Sequence, residues 1–274
     1  MMPIPRKVRR IVTLTIVAGV ALFGLAMTAA FAMIFSGDPE FERPLAVSPK
    51  EAAAFAARFA QPFASTKRDF ALADGGHLHA QVFPADSETT IVLVHGILSS
   101  GYPLNRASGL LRAATHATIV TVDLRGHGES TGARGDVDSI GQYEEDLGQV
   151  IATLRSERTA QRFVLAGHSM GGGITLRYAS RAATPGHDGN DVIPPLDSYL
   201  LLAPHLGLKA PSTRMTEKPG DADFARIHLP RTLGLLAANG VGVTQFNGLR
   251  TLFFNLPEEM PVRDYTFRAQ ASMV

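Results

Sequence analysis

An α/β fold, built on a mostly parallel sheet with helices on both faces, is predicted by three features of the sequence. Short Ile/Val/Leu-rich runs recur from Thr90 onward without alternation, as strands buried on both faces do. Helical patterns separate these runs, which is the order a parallel sheet requires. One run, Phe163-Val164-Leu165-Ala166, passes directly into Gly167-His168-Ser169-Met170-Gly171-Gly172-Gly173 and then into a helical stretch, Ile174–Ala183. The chain can support such a core: its 274 residues are 45% apolar and 19% charged, enough for one large domain or two small ones.

The first element, residues 1–37, is a basic stub followed by a span. From Ile11 to Phe35 there are 25 residues without a charge, roughly 37 Å of helix against the ~30 Å of a bilayer's hydrocarbon core. Arg6, Lys7, Arg9 and Arg10 precede the run, and Asp38, Glu40 and Glu42 follow it. The positive-inside rule then predicts a cytoplasmic N-terminus, an anchor in the lipid bilayer and an extracytoplasmic body. A secretory signal cleaved near Ala32 is the rival reading, because Ala30-Phe31-Ala32 fits a small-x-small cleavage site. The run is long for a signal, and Met33-Ile34-Phe35 continues it past the cut, so an uncleaved anchor is preferred.

Residues 38–66 are a polar, Pro-containing linker and a helix. Ser48-Pro49-Lys50-Glu51 reads as a capping box, and Ala52, Phe55, Ala56 and Phe59 share the face behind it. The core, residues 67–204, follows with strands expected at Arg68–Ala73, Leu78–Phe83, Thr90–Val94, Thr118–Val122, Phe163–Ala166 and Tyr199–Leu202. Asp74-Gly75-Gly76 marks a hairpin between the first two. Ser139-x-x-Gln142 caps a helix with apolar positions Tyr143, Leu147, Val150, Ile151 and Leu154. Thr184–Pro195 reads as a solvated loop rather than a metal cluster of His187, Asp188 and Asp191. Residues 205–274 are read as a helical cap over the carboxyl edge of the sheet.

Charge and composition exclude several classes. The formal net charge is +1, but the four basic residues before the span leave the rest with 22 basic against 25 acidic residues. With no Lys/Arg cluster after residue 10, nucleic acid is not an expected partner. The absence of cysteine excludes a disulfide framework, a Cys-ligated metal, a thiol nucleophile and a lipidated N-terminal Cys.

The chemistry-bearing motif is G-x-S-x-G in a strand-turn-helix context. A nucleophilic Ser169 must stand clear of the backbone on a sharp turn. Glycines around it remove Cβ clashes, and the helix starting at Met170 points free N–H groups at a developing oxyanion. The competing reading is a close-packed Gly-rich turn. Ile91-Val92-Leu93-Val94-His95-Gly96-Ile97 ends a central strand where the Ile97 N–H can be the second oxyanion donor, opposite that of Met170. His95 reads as a turn-stabilising side chain rather than a base. With Gly96 and His168 it belongs to the pocket and its turns. Asp123-Leu124-Arg125-Gly126-His127-Gly128-Glu129-Ser130 reads as a charged turn locked by its own hydrogen bonds.

Together, His95-Gly96, Asp123–Ser130 and Gly167–Gly172 resemble the α/β-hydrolase superfamily, within it the branch of monoacylglycerol lipases, lysophospholipases and the serine aminopeptidase S33 domain. The resemblance covers Phe70 to Pro204. It implies an α/β-hydrolase fold and a Ser-His-Asp hydrolase of small acyl esters, working through an acyl-enzyme without metal or organic cofactor. It further implies a triad in the order Ser, Asp/Glu, His, and here the pattern stops. After Ser169 the histidines are His187, His205 and His228, and the acids include Asp188, Asp191, Asp197, Asp221, Asp223 and Asp264. None has the strand-helix-strand spacing that the fold places between triad members. The last two strands are therefore expected to be missing, with roughly 50–70 residues that would carry the triad acid and His. Two other readings stand beside an esterase. One is a peptidase using the acidic pairs Asp221/Asp223 or Glu258/Glu259, and the other is an inactive, membrane-tethered binding module.

Overall fold

Six strands form the main sheet, the central ones rich in β-branched residues and leucine: β1 (Thr66–Ala71), β2 (His77–Phe83), β3 (Thr89–Val94), β4 (Thr118–Val122), β5 (Arg162–His168) and β6 (Ser198–Leu202). The computed structural model describes residues 6–41, 50, 62–157, 162–184, 193–207 and 224–273. The strand order is β1-β2-β4-β3-β5-β6. β1 and β2 form an antiparallel hairpin with Phe70 opposite Leu78. At its turn Gly75 adopts φ +87°, a conformation that costs a residue with a side chain. β2 runs antiparallel to β4, while β4, β3, β5 and β6 are mutually parallel. The fold is an α/β-hydrolase fold with a mostly parallel sheet.

Helices cover both faces, and this explains why the central strands do not alternate. Val92, Val94, Val120, Val122 and Leu165 face one side, where Tyr143, Leu147 and Ile151 of α3 (Gln142–Glu157) and Ile174 of α4 (Met170–Ala183) complete the larger core. The intervening residues Ile91, Leu93, Ile119 and Ala166 face the other side, with Leu111 of α2 (Asn105–Thr115). Positions on both faces are buried, so the sequence shows a run instead of a period of two. The start of α3 differs from expectation. Gln142 is the first helical residue, and its own Oε1 accepts the Asp138 N–H at 2.5 Å, whereas Ser139 supplies only its carbonyl to the Gln142 N–H.

The N-terminal run is one helix, α1 (Arg6–Ile34), long and apolar enough to cross a membrane. The C-terminal region departs from the expected helical cap. It holds a three-stranded antiparallel sheet, β7 (Ala225–Ile227), β8 (Arg250–Phe254) and β9 (Asp264–Thr266), with helices α5 (Leu229–Asn239) and α6 (Phe267–Ala271). Strands of three residues are too short to leave a period, which is why this stretch looked irregular. The lobe is fastened to the core by Arg268 on Asp136, by the Thr266 N–H on the Gly135 carbonyl, and by Ser272 Oγ accepting from the Gly141 N–H.

Among the described residues β6 pairs only with β5, and Leu200, Leu201 and Leu202 are exposed along it. The helix predicted behind Ser48-Pro49-Lys50-Glu51, the loop with His187, Asp188 and Asp191, and the acids Asp221 and Asp223 lie outside the described residues.

Candidate active site

β5 ends at His168 and α4 begins at Met170, so Ser169 alone makes the turn. Its backbone sits at φ 54°, ψ −116°, a region that costs a non-glycine residue on the order of 1–3 kcal/mol. Both of its peptide groups are held. The Ser169 N–H donates to the Leu202 carbonyl at 3.0 Å, and its carbonyl accepts from Gly172, Gly173 and His205 at 2.9, 3.2 and 2.9 Å. Glycine is required on both flanks for reasons of space. A Cβ on Gly171 would lie 2.6 Å from the carbonyl oxygens of Val94 and His95, and one on Gly167 would overlap the Gly171 carbonyl. At Gly96 a Cβ would come within 3.2 Å of the Ser169 Cβ, so this turn and the elbow touch. His168 is exposed beside them.

The turn after β3 is locked from beneath. His95 is fully buried; its Nδ1–H donates to the Gly96 carbonyl at 2.7 Å, and its Nε2 accepts the Leu124 N–H at 3.1 Å. Burial lowers its pKa to about 4, which keeps it neutral. His127 is equally buried, and desolvation brings it to about 3. Its Nδ1–H donates to the Arg125 carbonyl at 2.9 Å, leaving Nε2 to accept from the Tyr265 hydroxyl at 2.9 Å. That hydroxyl in turn accepts the Leu98 N–H at 2.8 Å, where Leu98 holds φ 57°. The Ile97–Leu98 turn is thus fixed by a tyrosine from β9, 167 residues away.

The Asp123–Ser130 turn is closed on itself. Asp123 accepts the N–H groups of Gly101 and Glu129, and Ser130 Oγ donates to the Asp123 carbonyl at 2.7 Å. Arg125 pairs with Asp146 and with Asp74, each at 2.8 Å.

Ser169, Met170 and Ile97 open together into a cavity of about 390 Å³ walled mainly by apolar side chains of the C-terminal lobe, among them Ile227, Leu252 and Phe254. The Met170 N–H is the first of α4 and has no intrahelical acceptor. His205 also lines the cavity, and desolvation lowers its pKa. The other candidates are engaged elsewhere. His228 Nε2 donates to the Gly37 carbonyl and its Nδ1 caps α5; Asp197 accepts the Phe163 N–H; Asp264 pairs with Arg250. Glu258 and Glu259 are exposed and do not line the cavity. Among the described residues no histidine or carboxylate hydrogen-bonds to Ser169 Oγ, and no cluster of three metal-ligating side chains occurs. Sequence reasoning missed Tyr265, which sits in a run with no local signal, Arg263-Asp264-Tyr265-Thr266.

Sheet order, elbow and motifs are those of an α/β-hydrolase fold, and comparison shows which proteins the chain is similar to. Residues 85–219 match the family model described as serine aminopeptidase, S33. An uncharacterized protein of Mycobacterium tuberculosis is 27% identical over 184 residues, 66% of this chain and 49% of that protein. A monoacylglycerol lipase of Mycolicibacterium smegmatis is 24% identical over 57% of this chain and 59% of its own length. An AB hydrolase superfamily protein of Bacillus subtilis is 36% identical over 37% of this chain and 31% of its own. Among solved structures, a Pyrobaculum calidifontis esterase is similar over 57% of this chain and 50% of that one, with a TM-score of 0.43 and 16% identity. Over residues 85–219 the chain is similar to the α/β-hydrolase superfamily, in its S33 and monoacylglycerol lipase-like branch. It spans about half the length of the curated relatives it matches.

Proposed function

We propose that this chain is the body of a membrane-anchored serine hydrolase of carboxylic, lipid-like acyl esters, with Ser169 as nucleophile. The observation that carries the reading is a strained Ser169 that lines an apolar cavity together with Ile97 and Met170, whose N–H groups are the oxyanion donors in this reading. In the first step Ser169 Oγ attacks the ester carbonyl carbon, its proton passes to a general base, and the two N–H groups hold the oxyanion. Collapse expels the alcohol, which takes that proton, and leaves an acyl-Ser169 ester. Water, deprotonated by the same base, then attacks the acyl carbon and releases the acid, and Ser169 Oγ regains its proton. The apolar walls suit the acyl chain.

The base and its acid come, in this reading, from a segment that adds to the edge of β6 left without a partner among the described residues. The Leu200–Leu202 strand supports this, because among the described residues it pairs on one edge only, and an open parallel strand rich in leucine is an aggregation hazard that proteins normally cover. α1 is read as the single-pass anchor with a cytoplasmic amino end.

A fluorophosphonate probe tests the nucleophile. Stoichiometric labelling of the full chain that disappears in Ser169→Ala is the expected outcome. A second reading, a catalytically silent binding module, is favoured by the absence of any base hydrogen-bonded to Ser169 Oγ among the described residues. A folded sample that takes up no probe supports that reading and overturns the first.

A further inference from the structure

Helix α5 is apolar on two opposite sides. Arg231, Gly234, Leu235 and Ala238 are its buried stripe. Leu229, Leu233 and Leu236 form a second stripe, about 180° away at ~100° per residue, and keep 57%, 47% and 54% of their surfaces exposed. Pro230 and Ala237 are exposed as well, and the helix's single charged residue, Arg231, is on the buried side. A helix apolar all round belongs inside protein or lipid, and one facing water carries charge.

The buried stripe is occupied by the carboxyl end of α1. Gly234 lets the two backbones meet, since a Cβ there would lie 2.6 Å from the Ala30 carbonyl oxygen. Arg231 then closes the joint. Its Nε donates to the Ile34 carbonyl at 2.9 Å, Nη2 to the Ser36 carbonyl at 2.6 Å and Nη1 to the Asp38 carboxylate at 2.5 Å. The guanidinium thereby satisfies carbonyls that a helix leaves without partners at its end. Ring edges add to the seat, with Phe246 against Phe31 and Phe35 at centroid distances of 5.8 and 5.3 Å. The apolar span of α1 itself is bare. Thr232 and Leu236 of α5 line the cavity that holds Ser169.

We propose that α5 is an in-plane membrane element: Arg231 and Gly234 clamp it to the end of the span, its leucine ridge lies in the leaflet there, and the Ser169 cavity opens toward lipid. The occupant is the bilayer because the ridge has no charge and is borne on the helix clamped to the end of the span. This rests on the reading of α1 as a retained anchor, and cleavage near Ala32 would remove part of the seat.

The chain contains no cysteine, so single cysteines can be labelled cleanly. Val17→Cys, Leu233→Cys and Ala114→Cys, each carrying an environment-sensitive fluorophore, are placed in phosphatidylcholine/phosphatidylglycerol vesicles with spin-labelled lipid. Quenching is expected at positions 17 and 233, at 233 most by a shallow spin label, and at neither depth for the exposed position 114 on α2. Quenching at 17 without quenching at 233 overturns the inference and spares the anchor; no quenching at 17 overturns both. A dimer cross-linked through position 233 without lipid quenching puts a second copy in the bilayer's place and also overturns it. In the Leu233→Cys background, Arg231→Met and Gly234→Val are each expected to lower quenching at 233, with circular dichroism confirming folded protein. Unchanged quenching in both folded variants overturns the clamp. None of these readouts requires hydrolysis, so a silent Ser169 leaves the test intact.

Discussion

At the scale of residues, the molecule spends strain and buried polar groups on one turn. Tyr265 makes the joint: its hydroxyl ties the Leu98 N–H to His127 Nε2, and both lose their partner in Tyr265→Phe. Leaving buried polar atoms unpaired costs about 1–3 kcal/mol, so a denaturation midpoint should fall accordingly. If the Ile97 N–H is an oxyanion donor, probe labelling of Ser169 should also slow, by less than the ~10²–10³-fold of deleting a donor outright. His95 and His127 supply a pH signature. Their folded pKa values, about 4 and about 3, lie below the ordinary 6.5. The unfolded chain therefore binds more protons between those limits, and stability rises with pH there. It is full above pH 6.5 and is lost as pH falls toward 4, each histidine contributing on the order of 3 kcal/mol to that loss. Chemical denaturation at pH 7 and pH 5 checks the slope; an equal midpoint at both would remove the neutral, buried assignment. His127→Gln should flatten the slope.

At the scale of elements, what could be read in the sequence depended on how much each segment buries. β3, β4 and β5 were legible because both faces are covered, and Gly167–Gly172 was legible because the elbow admits few residue types. β7 and β9, three residues each, were not. Neither were the contacts of Tyr265 and Arg231, which bind partners 138 to 197 residues distant. β6 carries its own prediction. Its leucines are exposed on a strand that pairs on one edge only among the described residues, so Leu201→Lys should reduce light scattering of the purified chain on standing, as charge on an edge strand does. Equal scattering would mean that the edge is already covered.

At the scale of the whole molecule, the lobe and the sheet meet at the cavity, and the span is joined to the lobe through Arg231. The fluorescence experiment tests its upper boundary. Its lateral boundary, the β6 edge, is tested by the intact mass of the native protein in its membrane fraction. The reading of a completing segment expects a mass above 29.3 kDa by some 6–7 kDa, the weight of roughly 50–70 residues. A native mass equal to 29.3 kDa would favour the binding module.

The Arg231 joint also sets a clock on biosynthesis. The acceptors at Ile34, Ser36 and Asp38 are made 193 to 197 residues before the guanidinium that engages them. At about 5–20 residues per second, translation leaves them waiting for roughly 10–40 s. Throughout that interval water must satisfy the end of the span, and the segment that becomes α5 has yet to be made. The nascent chain thus holds its membrane segment and its sheet as separate pieces, and they become one body only when the last quarter of the chain emerges.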